Sequence, residues 1–537
     1  MTVDLLVIGG GATGATVALE AVRRGLSVTL VEAGDIALGT SSRSTKLLHG
    51  GVRYLELAFK RLDWRQLQLV REALGERGFW LEAVPFLAQR LELLLPTAGF
   101  LQQAYYGMGL SLYDLLAGRR GIGASRWLGR QAVRRQLPEL APGFSGVAYS
   151  DGQFDDARLN LLIARTAQAL GVTVHTRTRV VELLRQGDRL AGAVVEDARS
   201  GERRELPARV VLNATGIGAD AIRRLADPEQ PPRLQASRGM HVVLKANLCP
   251  GGTGLLIPST ADGRVLFMLP FFGRTLVGTT DTPCPLAEAN QPSAEEEAYL
   301  LSYVRRWFPG HGEPEVASRW AGARPLLRPA AAATGDTATV VREHEVETLP
   351  SGLISVMGGK WTTCRPMALD GLEAVAAQLG HPLGEPAGPT PILGAAASPE
   401  ATRRELAALE HRLLEHHGPQ LVRHLLASHG LQAEAVLACA ATPQEWEPLS
   451  AVIPLTASEV RHAARHEWAR SPEDVLARRC RLSFVDTAEA ERLTPLVQEL
   501  LDQELADAPG RPAAAETTLE SVAESASGSP TSHQKNP

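Results

Sequence analysis

The sequence predicts an α/β protein in which a parallel, ligand-binding sheet is joined to an antiparallel sheet and followed by a helical domain. Three observations predict this. Residues 3–8 (VDLLVI) are a short apolar run ending in Gly9-Gly10-Gly11-Ala12-Thr13-Gly14. A helical pattern follows, stopped by Gly25, and a second apolar strand at 28–31 (VTLV) closes on Glu32, so the order is βαβ. Residues 238–282 change character: RGMHVVLK, RVLFMLPF and RTLVGTTD are β-rich, and the last two meet at the short turn Phe272-Gly273, the pattern of an antiparallel hairpin. From 400 to 505 the chain is helix-patterned with no strong strand.

Between these landmarks, residues 60–84 predict a helix, and 157–170 (ARLNLLIARTAQAL) predict another, followed by Gly171 and a strand over 172–183. Strands are predicted at 191–197 and at 209–213, the latter closing on Asn213-Ala214-Thr215-Gly216. A further strand at 353–357 (LISVM) leads into Gly358-Gly359-Lys360 and a second helix start. A Pro/Gly/Ala-rich linker covers about 382–398, and from Pro509 onward the composition is polar and without aromatics, as in a disordered tail. The expected organisation is a discontinuous nucleotide-binding domain (1–75, 150–225 and 335–385), an antiparallel-sheet domain (76–149 and 226–334), a C-terminal helical domain (386–508) and the tail (509–537).

At 537 residues the chain is too long for one ordinary domain, and 44% hydrophobic with 21% charged residues is globular composition. A formal net charge of -5 argues against wholesale nucleic-acid binding while leaving room for a local cationic pocket. The five cysteines are scattered without a CxxC pair, which reads against a disulfide framework or a zinc site and for a reducing compartment. No secretory pattern precedes the first strand, and no run of apolar residues is long enough to span a bilayer. The nearest approach, PTAGFLQQAYYGMGLSLYDLLAG at 96–118, is broken by Gln102, Gln103 and Asp114. It reads equally as a buried helix or as one lying in a membrane interface.

Gly9-x-Gly11-x-x-Gly14 stands where a Rossmann-like dinucleotide site needs it: Gly9 for the tight turn, Gly11 for approach of backbone to a pyrophosphate, Gly14 for helix–strand packing. The phosphates would meet the N-terminus of the following helix, and Glu32 would accept from a ribose diol. Three features favour FAD over NAD. The site starts at residue 3 and the nucleotide fold returns twice, at 209–216 and 353–364. Asn213-Ala214-Thr215-Gly216 resembles the flavoprotein element where the chain comes back to the dinucleotide. Met357-Gly358-Gly359-Lys360-Trp361-Thr362-Thr363 is a second glycine turn whose N–H groups could hold the pyrimidine edge of a flavin.

These segments, in order, resemble a known family, the FAD-dependent glycerol-3-phosphate dehydrogenases and oxidases among the D-amino-acid-oxidase-like flavoproteins. The resemblance is carried by GGGATGA at 9–15, TSSRSTKLLHGGVRYLE at 40–56, NATG at 213–216, GTTD at 278–281, GARPL at 322–326, GGKWTT at 358–363 and SPEDVLARR at 471–479. It spans about residues 3–500, with Cys364 as a departure where a bulkier residue is expected. The resemblance implies a Rossmann-like FAD-binding domain, an antiparallel-sheet substrate domain and a C-terminal α-helical domain. It also implies non-covalent FAD, with His49 in a structural or hydrogen-bonding role, and sn-glycerol 3-phosphate as substrate. The cofactor residues it implies are Gly9, Gly11, Ala12, Thr13, Gly14, Glu32, Thr40, Ser41, Ser42, Lys46, His49, Gly50, Gly51, Val180, Ala214, Thr215, Gly216, Gly359, Lys360 and Thr362.

A phosphate monoester buried beside a flavin demands arginine, whose planar fork binds oxygens bidentately. Arg53, Arg324 and Arg342 each sit in a motif-matched segment, and Tyr54 could add a hydroxyl donor. Oxidation at C2 also needs a base for the hydroxyl proton. His241 matches the family's histidine, while Lys360 could stabilise negative charge beside the flavin, so His241, Arg324 and Lys360 are the catalytic candidates. The expected acceptor is a membrane quinone, reached by a cytoplasmic enzyme attached peripherally through 100–116. The alternatives are a glycerol-3-phosphate oxidase passing electrons to oxygen, a flavoenzyme acting on an amine or 2-hydroxy acid, and a non-enzymatic flavin-binding regulator. A homodimer is compatible with the sequence.

Overall fold

The computed structural model describes residues 1–51, 64–261, 263–328, 344–386, 388 and 390–506. The first sheet is eight-stranded. Its core is parallel, in the order Leu353–Gly358, Arg203–Asn213, Val3–Ile8, Val28–Val31 and Thr173–His175. His344–Thr348 lies antiparallel along one edge. Residues Leu5 to Ile8 are buried, as a central strand covered by helices on both faces requires. The helix Ala12–Val22 packs on them through Ala12, Gly14, Ala15 and Ala18, whose small side chains let it lie close. The helices Asp156–Ala169 and Cys364–Leu379 flank it, and one apolar core joins all three.

The strand expected over 172–183 is two strands. Arg177 adopts a left-handed conformation (φ 51) and donates its N–H to Gly34 O at 2.7 Å. Thr173–His175 therefore ends the parallel sheet, while Thr178–Gln186 turns away to pair antiparallel with Arg189–Asp197. The second sheet has ten strands and contains the expected hairpin, Leu266–Phe271 with Arg274–Gly278. Leu234–Leu244 lies between Arg274–Gly278 and the long strand Val316–Leu327. One pair in this sheet, Thr253–Ile257 with Ala88–Thr97, is parallel.

The C-terminal region is helical as expected, with long helices at Pro399–Leu414 and Thr487–Ala506. It is not a separate body. Val460, Leu476, Val485, Leu493 and Val497 share one apolar core with Val243, Leu276 and Trp320 of the second sheet, and each fully buried aliphatic side chain there contributes about 1.5–3 kcal/mol. Arg478 and Arg479 reach the nucleotide half, where both pair with the buried carboxylate of Asp35, at 2.5 and 2.6 Å. Among the described residues no helix is long and apolar enough to cross a membrane.

Candidate active site

A cavity of about 870 Å³ opens at the carboxyl ends of the parallel strands and runs on against the second sheet, the place where open α/β sheets bind ligands. Its first part is made largely of backbone. Gly9 has φ 111, and a Cβ there would stand 2.6 Å from Ala214 O; one on Gly14 would stand 1.9 Å from Gly9 O. Only glycine lets turn, helix and returning strand meet, so the helix Ala12–Val22 points its N-terminus into the cavity, where Ser41 Oγ accepts from Ala12 N at 2.9 Å. That space suits a pyrophosphate. Glu32 lines it, with Oε2 accepting from Gly10 N at 2.7 Å and Oε1 from Gly34 N at 2.8 Å. Burial raises its pKa, and each oxygen keeps a lone pair for a ribose hydroxyl. The second glycine turn closes the far end. Gly359 (φ 76) precedes the 3₁₀ turn Trp361–Thr363, and Trp361 Nε1 donates to Ser41 O at 3.0 Å, tying this turn to the Thr40–Ser42 segment. The residues therefore fit FAD.

Of the cofactor residues expected from sequence, Gly9, Gly11, Ala12, Thr13, Glu32, Thr40, Ser41, His49, Gly51, Val180, Ala214, Thr215, Gly216, Gly359, Lys360 and Thr362 line the cavity. Gly14, Ser42, Lys46 and Gly50 are not among its lining residues. Gly14 is held against the strand behind it. Gly50 packs on Leu74 and donates its N–H to Tyr113. Lys46 is drawn inward by the carboxylate of Asp156 at 2.7 Å and by Ser42 O at 2.7 Å. Burial and the neighbouring Arg481 charge lower its pKa to about 7. Cys364, the departure from the expected pattern, lines the cavity and accepts from Thr16 Oγ1, and burial pushes its thiol up to about 12, so it stays neutral.

The other end of the cavity is made of side chains. His241 is buried in the strand Leu234–Leu244, and its ring lies over Gly278, its partner in register on the next strand; a Cβ on Gly278 would come within 2.2 Å of the imidazole. Its other cross-strand neighbour, Trp320, stacks on it at 4.1 Å, and Thr45 Oγ1 meets Nε2 at 3.0 Å. Burial, together with the Lys46 and Arg324 charges, holds the His241 pKa well below 6.5, so the ring is neutral and able to accept a proton.

Arg324 crosses from the strand Val316–Leu327 and donates to Thr280 O and Thr279 Oγ1, both at 2.8 Å. Gly239 leaves room for its guanidinium. Asp281 receives Arg324 at 3.1 Å and Arg264 at 2.6 Å, so one carboxylate holds two arginines at the cavity wall. Lys360 lines the cavity. Arg53, Tyr54 and Arg342 lie outside the described residues.

Arg264, Asp281, Thr45, Thr279 and Arg43 line the cavity and were not singled out from sequence. Thr45, Arg43, Thr279 and Asp281 lie inside motifs already quoted; Arg264 carries no local signal beyond its Asp-Gly turn.

A separate buried group, His429, His462 and Glu467, has ligand atoms within 4.8 Å of one another. The guanidinium of Arg158 lies against His429 and pairs with Glu467 at 2.8 Å, with Arg165 at 3.5 Å, so arginine already supplies the positive charge that a metal ion would bring.

Residues 4–369 match the family described as "FAD dependent oxidoreductase", and residues 388–508 the "C-terminal domain of alpha-glycerophosphate oxidase". The chain is 38% identical over 521 residues to the human protein named "Glycerol-3-phosphate dehydrogenase, mitochondrial", covering 94% of this chain and 70% of that protein. It is 37% identical over 520 residues to the "Probable glycerol-3-phosphate dehydrogenase, mitochondrial" of Dictyostelium discoideum, covering 93% and 80%. The solved glycerol-3-phosphate dehydrogenase of Bacillus halodurans, complexed with FAD, superposes with a TM-score of 0.75 at 26% identity, over 95% of this chain and 92% of that one.

Proposed function

Because this chain belongs to the FAD-dependent glycerol-3-phosphate dehydrogenase family, we propose that it oxidises the C2 hydroxyl of sn-glycerol 3-phosphate, giving dihydroxyacetone phosphate, and hands the electrons to a membrane quinone. The observation that carries this reading is the juxtaposition of a neutral histidine with a fixed arginine pair at the side-chain end of an FAD-type cavity. FAD, when bound, supplies the hydride acceptor. Arg324 and Arg264 meet the phosphate or the oxygens beside it, with Arg53, Tyr54 and Arg342 completing the clamp, since a dianion needs more than the single positive charge left after Asp281 is counted. His241 is the acceptor of the C2 hydroxyl proton, which reaches Nε2 through the Thr45 hydroxyl 3.0 Å from it: Thr45 Oγ1 gives its own proton to Nε2 as it receives that of the substrate. Lys360 stabilises negative charge that develops beside the flavin ring. FAD is held without a covalent bond.

The helix Phe100–Ala117 supports the quinone in place of oxygen. It buries Gly107, Leu110 and Tyr113 but exposes Phe100, Leu101, Tyr105, Met108 and Leu115, the last 73% exposed. Positions 101, 105, 108 and 115 fall on one face. Exposed Trp127 lies beside Phe100, with ring centres 6.3 Å apart, and Arg119, Arg120, Arg126, Arg130, Arg134 and Arg135 follow the helix closely in the chain. An apolar face flanked by arginines suits an interface of anionic lipid. The apolar side of the cavity, at Leu95, Val265 and Phe267, also includes Tyr106 of this same helix, which gives a lipid-soluble acceptor a way in.

The test is turnover of sn-glycerol 3-phosphate in anionic liposomes with quinone, beside turnover with oxygen. The triple replacement of Leu101, Met108 and Leu112 by Asp is expected to abolish liposome binding and quinone reduction while activity with a soluble dye remains. Oxygen consumption with stoichiometric hydrogen peroxide, at a rate equal to quinone reduction, would make it an oxidase.

A further inference from the structure

The C-terminal helical domain sends four residues, 481–484, further than its own fold needs. Arg481 adopts a left-handed conformation (φ 69) and is 1% exposed, and it caps the short helix Leu482–Val485 that carries Phe484. From there two lines of contact converge on the same imidazole. Along the first, Phe484 meets Trp320 edge-on at 5.1 Å, and Trp320 lies nearly parallel on His241 at 4.1 Å and 18°. Along the second, the Arg481 guanidinium donates to Ser42 O at 2.7 Å and stands 3.3 Å from Asp156. Asp156 in turn receives Lys46 Nζ at 2.7 Å, Ser44 Oγ at 2.7 Å and Ser44 N at 3.0 Å, which fixes the loop whose Thr45 touches His241 Nε2. The lines are cross-linked: Arg481 lies 4.3 Å over the Phe484 ring, and Lys46 Nζ lies 4.6 Å over Trp320. Ser318 Oγ donates to Ser483 O at 3.0 Å, pinning the segment to the strand that bears Trp320.

Such an arrangement exceeds what docking two domains requires. The apolar core shared by the C-terminal helices and the second sheet, with the Arg478–Asp35 and Arg479–Asp35 pairs, already does that. The 481–484 segment instead packs the plane of the histidine ring on one side and its Nε2 partner on the other. These are the two coordinates that set the direction of a ring lone pair.

We propose that Phe484 and Arg481 are positioning residues for the oxidation, holding His241 at the angle from which it accepts the substrate hydroxyl proton, so that the C-terminal domain belongs to the active site. This rests on the proposed role of His241 as that acceptor.

The experiment is anaerobic flavin reduction by sn-glycerol 3-phosphate, followed against pH in the FAD-loaded protein. Phe484→Leu, which keeps most of the volume, is expected to slow reduction about tenfold or more, as a misplaced reacting group does. FAD content and KM should stay close to wild type, because the arginines are untouched. Its acid limb is expected to move towards 6.5, since a loosened Trp320 admits water and relieves the burial that keeps His241 neutral. Phe484→Tyr, which restores a ring, is expected to recover most of the rate. Arg481→Lys supplies the second arm and should slow reduction in the same way by freeing the 42–46 loop.

His241→Asn separates the two claims. If it leaves the rate and pH profile unchanged, the assignment of His241 as acceptor fails. If it collapses the rate but Phe484→Leu and Arg481→Lys reduce flavin like wild type, that assignment stands and the positioning proposal falls. In the double variant His241→Asn with Phe484→Leu, no further loss is expected; an additional loss equal to that of Phe484→Leu alone would make Phe484 merely structural. Should Phe484→Leu fail to fold, Phe484→Met and Arg481→Lys carry the same comparison.

Discussion

The two ends of the cavity are built on opposite principles. At the parallel sheet the chain offers backbone: glycines at 9, 11 and 14 clear a helix N-terminus, and the turn at Gly359 faces it from the other side. At the antiparallel sheet it offers side chains: Asp281 holds Arg324 and Arg264, and Trp320 and Thr45 hold His241. Glycine serves both ends in different ways. In the first it brings backbone close to the cavity; in the second, Gly278 and Gly239 are gaps that the His241 ring and the Arg324 guanidinium fill. A backbone site tolerates little change in chain path and binds by being close. A side-chain site depends on rotamers, so it needs bracing from a further layer.

Gly11→Val places a branched side chain in the cofactor space, where even a Cβ would meet Ser41 Oγ at 3.0 Å. The purified protein is expected to be colourless and inactive. Retention of flavin at wild-type stoichiometry would break the comparison at its first end.

Gly278→Ala should do the reverse. FAD remains bound, but the new methyl displaces the imidazole, and flavin reduction is expected to fall by about a hundredfold. Loss of FAD in this variant would mean that the two ends are not separable.

Arg324→Ala removes charge-assisted bonds that contribute about 1.5–3 kcal/mol each. A fall in kcat/KM for sn-glycerol 3-phosphate of roughly 30-fold or more is expected, with little proportional change for glycerol. An equal loss on both substrates would assign the arginine to the fold.

The smallest effect lies away from the cavity. Burial and the Arg158 charge hold the His429 pKa down to about 4. The folded state therefore binds fewer protons than the unfolded chain below 6.5, and stability present above 6.5 is lost as pH falls towards 4. Tm is expected to decline through that window, less steeply in His429→Asn. An unchanged slope would remove this group as the cause.

What sequence made legible follows the same division. Glycine spacing before a helix reports a backbone site directly, and the turns at 9–14 and 358–362 both contribute to the cavity wall, as does the return at 213–216, which is legible by its resemblance to a flavoprotein element. Side-chain sites assemble from residues far apart in the chain. Nothing near Arg264 announces that Asp281 will pair it with Arg324, and nothing near Phe484 announces Trp320. Lys46 illustrates the cost of reading locally. In TSSRSTKLLHGG it looks like part of a polar ligand loop, yet Asp156, 110 residues away, draws it inward and out of the cavity. The break at Arg177 has a related cause: the 172–183 stretch has strand character throughout, and long-range backbone bonds, Arg177 N to Gly34 O and Thr178 N to Glu32 O, bend it.

The reading of the whole cavity as the site of sn-glycerol 3-phosphate oxidation is tested most directly by mixing the FAD-loaded protein with that compound in the absence of oxygen and following the visible flavin absorbance. The account predicts rapid bleaching with sn-glycerol 3-phosphate, slow or no bleaching with glycerol or a 2-hydroxy acid, and one dihydroxyacetone phosphate formed per flavin bleached. Absorbance unchanged by sn-glycerol 3-phosphate, or bleached faster by an amine or a 2-hydroxy acid, would contradict it.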